Sequence, residues 1–373
     1  MSVPSKIFSG ARLQLAREFK GLTQKQLGEE VTASHSLISF YEAGKRKDPT
    51  SDLVEAIGIV LGFEPAFFYG KLEDVFQEGE CSFRHKRKAT GRLKDQVRAR
   101  ATLGGLVIAR LRKLFRFPNL NVPELSASNN DEIERAAERC RAHWGLGLDG
   151  PILQMSRVVE HAGIVILRNT IQTTDIDAFS RTGPTTVIFL NQKIPSTSRW
   201  TFDLAHECGH LVLHRGIATG GIETERAADR FASAFLMPRR AFSREFNSAP
   251  WSFNHVFDLK KRWQASAAAI VHRAYDLGLL SAVEYRRAFQ YMSLKGWRTT
   301  GEPFEPTFQQ PEVMDNALNG LGSRVPLTPA ALCAELYFKP ETFAEITGLP
   351  IKTDEKNRTE PLPFKRHWAD AAT

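Results

Sequence analysis

Apolar residues along this chain recur mostly at helical spacing. Leu13, Leu15, Ala16 and Phe19 mark one face of a first helix, and Gly21 ends it. Thr23 opens a second, TQKQLGEEV, with Gln26 in the capping-box position. A short turn at Thr32-Ala33 leads to a third, SHSLISFYEAG, which starts at Ser34 and stops at Gly44. After Lys45-Arg46-Lys47, the cap-type residues Thr50 and Ser51 start a fourth, carrying Leu53, Ile57 and Leu61. The strand-like runs are residues 164–167, 177–180 and 186–190, with Gly183-Pro184 as a turn. Helices surround them. Residues 131–144 place Ile133, Ala136, Ala137 and Cys140 on one side, and a helix opening at Pro151 runs through Val158 and Glu160 until Gly163 breaks it. Residues 223–236 and 251–291 are helical, with a cap at Ser266, and two short helices follow Thr328-Pro329 and Pro340. The pattern predicts a mainly α chain with one small β-sheet: an all-α unit first, then an α+β unit.

At 373 residues, with 42% hydrophobic and 25% charged residues, the chain suits two or three domains that bury real cores. The expected divisions are 1–70, 71–125, 126–300 and 301–373, the last ending in a polar tail read as mobile after about Lys352. The formal net charge of +8 points to an anionic partner, with nucleic acid first. Much of the excess lies in residues 83–116, where Leu103, Leu106, Val107, Leu111 and Leu114 recur near helical spacing. This predicts a basic amphipathic linker helix. Its apolar face can pack on the next domain or on a second copy, and its basic face can extend a nucleic-acid footprint. Cys81, Cys140, Cys208 and Cys333 form no C-x-x-C pair, the start lacks a signal-peptide core, and no apolar run reaches membrane-spanning length. The expectation is a cytoplasmic protein with free thiols and no membrane partner.

The chemistry concentrates at His206-Glu207-Cys208-Gly209-His210. Thr197 and Ser198 are cap-type residues upstream, and no proline interrupts the stretch, so it reads as helical. Residues four apart share a helix face, so His206 and His210 can aim at one point, with Glu207 beside it. Two nitrogen ligands and a flanking carboxylate suit a hydrolytic zinc site. Cys208 points away from the histidines. A third ligand is needed, and Leu213 and Gly216 exclude the metzincin pattern. His214, Glu223, Glu225 and Asp229 remain as candidates; Glu225 and Asp229 share a face of the following helix.

Two resemblances add to this. Gly21-Leu22-Thr23-Gln24, Leu27, Val31, Ile38-Ser39, Glu42, Gly44 and Pro49 resemble the XRE (Cro/cI-like) helix-turn-helix family over about residues 8–69. Thr32 departs from it, since many members carry glycine in that turn. The resemblance implies that the third helix enters the major groove of operator DNA. His35, Ser36, Ser39 and Phe40 would then face base edges, Gln24 would lie near the backbone, and Lys45 and Arg46 would meet phosphates. It also implies a homodimer on a two-fold-related site. RWTFDLAHECGHLVLH (199–214) and ERAADRFASAFLMP (225–238) resemble the ImmA/IrrE metallopeptidase family over about residues 130–300. That resemblance implies a zincin-like fold with Zn2+ held by His206, His210 and Glu225, and Glu207 as the catalytic base. Ala227 stands where many members carry a further glutamate. The favoured expectation is a DNA-binding regulator with a gated zinc endopeptidase that cuts a helix-turn-helix repressor or the chain itself. The alternative is a repressor whose zinc domain is a non-proteolytic metal or metabolite sensor.

Overall fold

A computed structural model of the chain describes residues 7–72, 81–85, 90–169, 176–183, 185–191, 196–217, 219–297, 301–307, 310–318 and 328–349. The first unit is built from α1 (Gly10–Lys20), α2 (Gln24–Glu30), α3 (His35–Glu42) and α4 (Ser51–Leu61). A 3-10 turn at Pro65–Phe68 closes it. Its boundaries follow local chemistry. Gly21 ends α1 at φ 67, Thr23 and Gln26 form a reciprocal capping box, and Ser34 and Thr50 cap α3 and α4. Leu13, Phe19, Leu27, Ile38, Ile57 and Leu61 are fully buried between these helices.

The basic stretch departs from its reading. Its start lies in a strand, β1 (Cys81–His85), and α5 (Gly91–Arg112) begins only after its cap at Thr90. Residues 86–89 lie outside the described residues. α5 buries Val97, Ala99, Ala101, Leu103, Val107, Ile108 and Leu111, and with them Arg100 and Thr102. It is therefore an interior helix and not a solvated link. Several of its buried positions are small residues, Ala99, Ala101, Gly104 and Gly105, which helical hydropathy barely registers. At Gly104, a Cβ would lie 2.8 Å from a Phe189 ring carbon and 3.0 Å from Leu167, so glycine is what lets the helix lie this close to the sheet.

After α6 (Asn130–His143) and α7 (Met155–His161) come β2 (Val165–Asn169), β3 (Ile176–Arg181) and β4 (Val187–Asn191). The helix expected to open at Pro151 starts at Met155 instead. Then follow α8 (Thr197–Leu213), α9 (Ile222–Leu236), α10 (Arg239–Phe246), α11 (Phe253–Trp263), α12 (Ala267–Asp276) and α13 (Ala282–Leu294). The C-terminal part adds α14 (Val313–Leu318), α15 (Pro329–Leu336) and α16 (Pro340–Thr347). The tail after residue 349 and Pro184 of the expected turn lie outside the described residues.

The sheet has the order β1-β3-β4-β2. β1 pairs antiparallel with β3, β3 antiparallel with β4, and β2 parallel with β4. Both faces are buried. Val165, Leu167, Phe179, Val187 and Phe189 face one cluster, shared with α5, the first unit and the C-terminal helices. Ile166, Ala178, Ile188 and Leu190 face the other, shared with α8, α9 and the helices after them. Strand alternation thus sorts the sheet between two cores. No helix among the described residues is long and apolar enough to cross a membrane.

The first unit is held tightly to the rest. Arg92 Nε donates to the Gly21 carbonyl at 2.5 Å and Gln96 Nε2 to that of Phe19 at 3.2 Å. On its other side, the backbone of Glu64 donates to Tyr337 and that of Lys339 to Gly62. Phe63 packs edge-on against Phe338, and Lys20 pairs with Glu345 at 2.9 Å.

Candidate functional site

The site is built on α8, and the start of that helix is fixed from outside. Ser196 is its cap, one residue before the expected Thr197 and Ser198. The Glu305 carboxylate accepts from the Ser198 backbone at 3.0 Å and from its hydroxyl at 2.8 Å, placing negative charge at the helix N-terminus. Lys260, fully buried, donates to Glu305 at 3.0 Å and to Glu302 at 2.6 Å, so the carboxylate is itself held.

Three turns along, the His206 and His210 imidazoles meet edge to face, with Nε2 atoms 3.1 Å apart. Both are buried. Glu225 comes across from α9, with carboxylate oxygens 3.4 Å from His206 Nε2 and 3.3 Å from His210 Nε2. The ligand-type atoms of these three residues lie within 4.8 Å of one another, close enough to share one metal ion. Gly209 makes the approach of α9 possible, since a Cβ there would lie 3.2 Å from the Ala228 backbone and 3.1 Å from the Phe231 ring.

Glu207 is fully buried beside this cluster, and the Ser180 hydroxyl is the hydrogen-bonding group that acts on its carboxylate. Burial pushes its carboxyl up, against the pull of His210, His206 and the Ser180 hydroxyl of β3. A fully buried carboxylate next to three convergent ligand atoms suits a metal site with a water between them. Burial would raise Glu225, but its two histidine neighbours bring it down to about 2, which keeps it anionic.

A family model described as an IrrE N-terminal-like domain matches residues 159–275, a span that holds every one of these groups. The chain carries an IrrE N-terminal-like domain. A second model, a helix-turn-helix domain, matches residues 10–66. No curated protein matches the chain. A solved Mycobacterium tuberculosis transcriptional regulator is similar at 20% identity, over 39% of this chain and 48% of that one, with a TM-score of 0.29.

Within the IrrE-like domain, the other sequence candidates take different places. Asp229 lies on the far nitrogen of His206, with Oδ1 2.9 Å from Nδ1, so it orients the ring and leaves Nε2 for the cluster. His214 Nδ1 lies 3.1 Å from His210 Nδ1, and burial followed by the His210 charge brings its pKa down to about 4. A neutral His214 can accept from His210 in the same way. Glu223 is exposed and pairs with Arg226. Cys208 packs in the core, and burial pushes its thiol well up. Sequence reasoning passed over Ser180. Its signal was strand alternation, which puts residue 180 on the face of Ala178, toward α8. Glu305 and Lys260 gave no sequence signal, because they act across long separations.

On the helix-turn-helix domain, His35, Ser36, Phe40, Lys45 and Arg46 are exposed, while Ser39 is half-buried on the same helix. Leu37, Ile38 and Tyr41 turn inward. Lys45 lies over the Phe40 ring at 5.7 Å. Gln24 donates to Glu42 at 2.7 Å, and Glu42 also takes a bidentate pair from Arg17 at 2.6 and 2.8 Å. This network fixes the angle between α2 and α3.

Proposed function

We propose that the chain is a DNA-binding regulator whose IrrE-like domain is a zinc endopeptidase, cutting a helix-turn-helix repressor or a copy of this chain. The observation that carries this reading is Glu207: a fully buried carboxylate beside three groups that can share a metal. His206, His210 and Glu225 would hold Zn2+, through two nitrogens and one carboxylate. Bound there, zinc supplies Lewis acidity toward water and toward a peptide carbonyl. Glu207 accepts the proton of the attacking water at a carboxylate oxygen and passes it to the leaving amine nitrogen. Its raised affinity for a proton, caused by burial, suits both transfers. Asp229 keeps His206 in the tautomer whose Nε2 carries the lone pair.

On the DNA side, His35, Ser36, Ser39 and Phe40 read base edges from α3, Lys45 and Arg46 meet phosphates, and Gln24 lies near the backbone. The exposure of His35, Ser36, Phe40, Lys45 and Arg46 supports that assignment. One such unit covers a half-site, so the operator-bound form is a homodimer. This activity belongs in the cytoplasm.

The test has two arms. Metal analysis should find one zinc per chain, lost in His206→Ala and Glu225→Ala and retained in Glu207→Gln. Zinc-loaded chain incubated with and without DNA, and with a helix-turn-helix repressor, should yield fragments by mass spectrometry from wild type only. Equal fragments from Glu207→Gln would mark a contaminating protease. No fragments under any condition would replace the peptidase with the sensor. For DNA, Lys45→Ala should lower affinity for all sequences and flatten the salt dependence, whereas His35→Ala should change sequence preference.

A further inference from the structure

The sheet has two edges, and only one lies near Glu207. β2, at one edge, packs against α14 and α16. At the other edge β1 lies against β3, whose Ser180 flanks the Glu207 carboxylate. An antiparallel strand next to a reactive site is where an extended peptide gains main-chain hydrogen bonds by joining the sheet. In this chain that edge is taken. β1 pairs along it, with Ser82 opposite Ser180 and Phe83 opposite Phe179. Neighbouring strands lie about 4.8 Å apart, so the main chain of β1 passes one strand spacing from the residue beside Glu207.

We propose that β1 is an in-cis blocking strand: it occupies the peptide-docking edge of β3 and holds the site closed until the helix-turn-helix unit shifts. This rests on the peptidase reading above. Two features make β1 displaceable. Its ladder is short and irregular, with a register shift between Phe83 and His85. It is also bracketed in sequence by segments attached to the helix-turn-helix unit. Upstream, Tyr69 bridges to Phe8. Downstream, the first turns of α5 hold the Gly21 and Phe19 carbonyls through Arg92 and Gln96. A shift of that unit therefore pulls on both ends of the strand, whereas β3 is anchored in the sheet by β4. An incoming extended peptide replaces β1 on β3, strand for strand, and no covalent step is needed to open the site.

The test separates strand occupancy from catalysis. Proline at Ser82 or at Phe83 removes a ladder N–H at one parity or the other. Hydrogen exchange of full-length Ser82→Pro and Phe83→Pro should show amides of 176–181 exchanging at least tenfold faster than in wild type. A synthetic peptide of residues 78–88 should restore their protection. Unchanged exchange in both variants, or no restoration by the peptide, overturns the proposal. Cleavage of a labelled unfolded protein should rise at least tenfold in both variants. A second variant works in the opposite sense. Cys81 is the register partner of Arg181, so in Arg181→Cys oxidation should link the two thiols and abolish cleavage, with recovery on reduction. A link that forms without lowering cleavage overturns the blocking role. Exposure and peptide capture without cleavage by any variant would defeat the peptidase reading and leave the docking edge standing.

Discussion

Thr32 sits in the turn between α2 and α3 with φ 54. That left-handed geometry costs a β-branched residue about 1–2 kcal/mol. Glycine removes the strain but gives the unfolded chain more freedom, so Thr32→Gly should stabilise by only about 0.5–1 kcal/mol. The expected result is a higher urea midpoint with unchanged slope; an equal or lower midpoint would mean that the turn relaxes around threonine. Asp229 can be weighed at the same scale. Its carboxylate touches His206 on the nitrogen that the cluster does not use. Asp229→Ala should weaken metal affinity about 10–100-fold in a chelator competition. Glu223→Ala, altering an exposed side chain of the same helix, should leave affinity unchanged. Equal losses from both would point to damage to α9 rather than to ring orientation.

At the scale of elements, Gly209 sets the distance between α8 and α9. In a helix interior, glycine costs about 1 kcal/mol relative to alanine, so Gly209→Ala should favour α8 taken alone. Its Cβ would nonetheless press on the Ala228 backbone and move α9 outward by a few tenths of an ångström, carrying Glu225 with it. Metal affinity should fall at least tenfold while the melting temperature of the metal-free protein changes by only a few degrees. Affinity equal to wild type would show that α9 is not pinned at this crossing. Elements differ in how far the sequence announces them. The capping box at Thr23, the stop at Gly21 and the two-histidine stripe are local and could be read directly. The depth of α5 could not, because Ala99, Ala101, Gly104 and Gly105 are among its buried residues and such small side chains add little to a hydropathy pattern. β1 was equally hidden, since CSFRH gains strand character only from β3, which lies some ninety residues later in the chain. The convergence of His206 and His210 on α8 was legible from spacing alone, whereas the approach of Glu225, one of four candidates, depended on how two helices cross.

For the whole molecule, Glu160 links the IrrE-like body to the C-terminal segment. It is buried, and its carboxylate accepts from the backbones of Glu312 and Val313 at 2.9 Å each. Burial raises its pKa to about 7, against those two donors. The folded state therefore holds a proton that the unfolded chain releases above its ordinary value. Stability from this group is full below about 4.5 and is lost as pH rises to about 7, with an upper bound of about 3 kcal/mol. The stability of wild type relative to Glu160→Gln, measured by urea unfolding, should fall over that window and then level off. Parallel curves would mean that Glu160 stays ionised throughout.

Phe63 lies against Phe338, α1 against α5, and Lys20 against Glu345, all through non-covalent contacts. Scission anywhere between Leu72 and Thr90 would consequently nick the molecule without parting it. Both pieces should co-elute as one species in native gel filtration and separate only in denaturant. A severed bond would then be a stored mark on an intact particle, and release of the DNA reader would be a second event with its own rate.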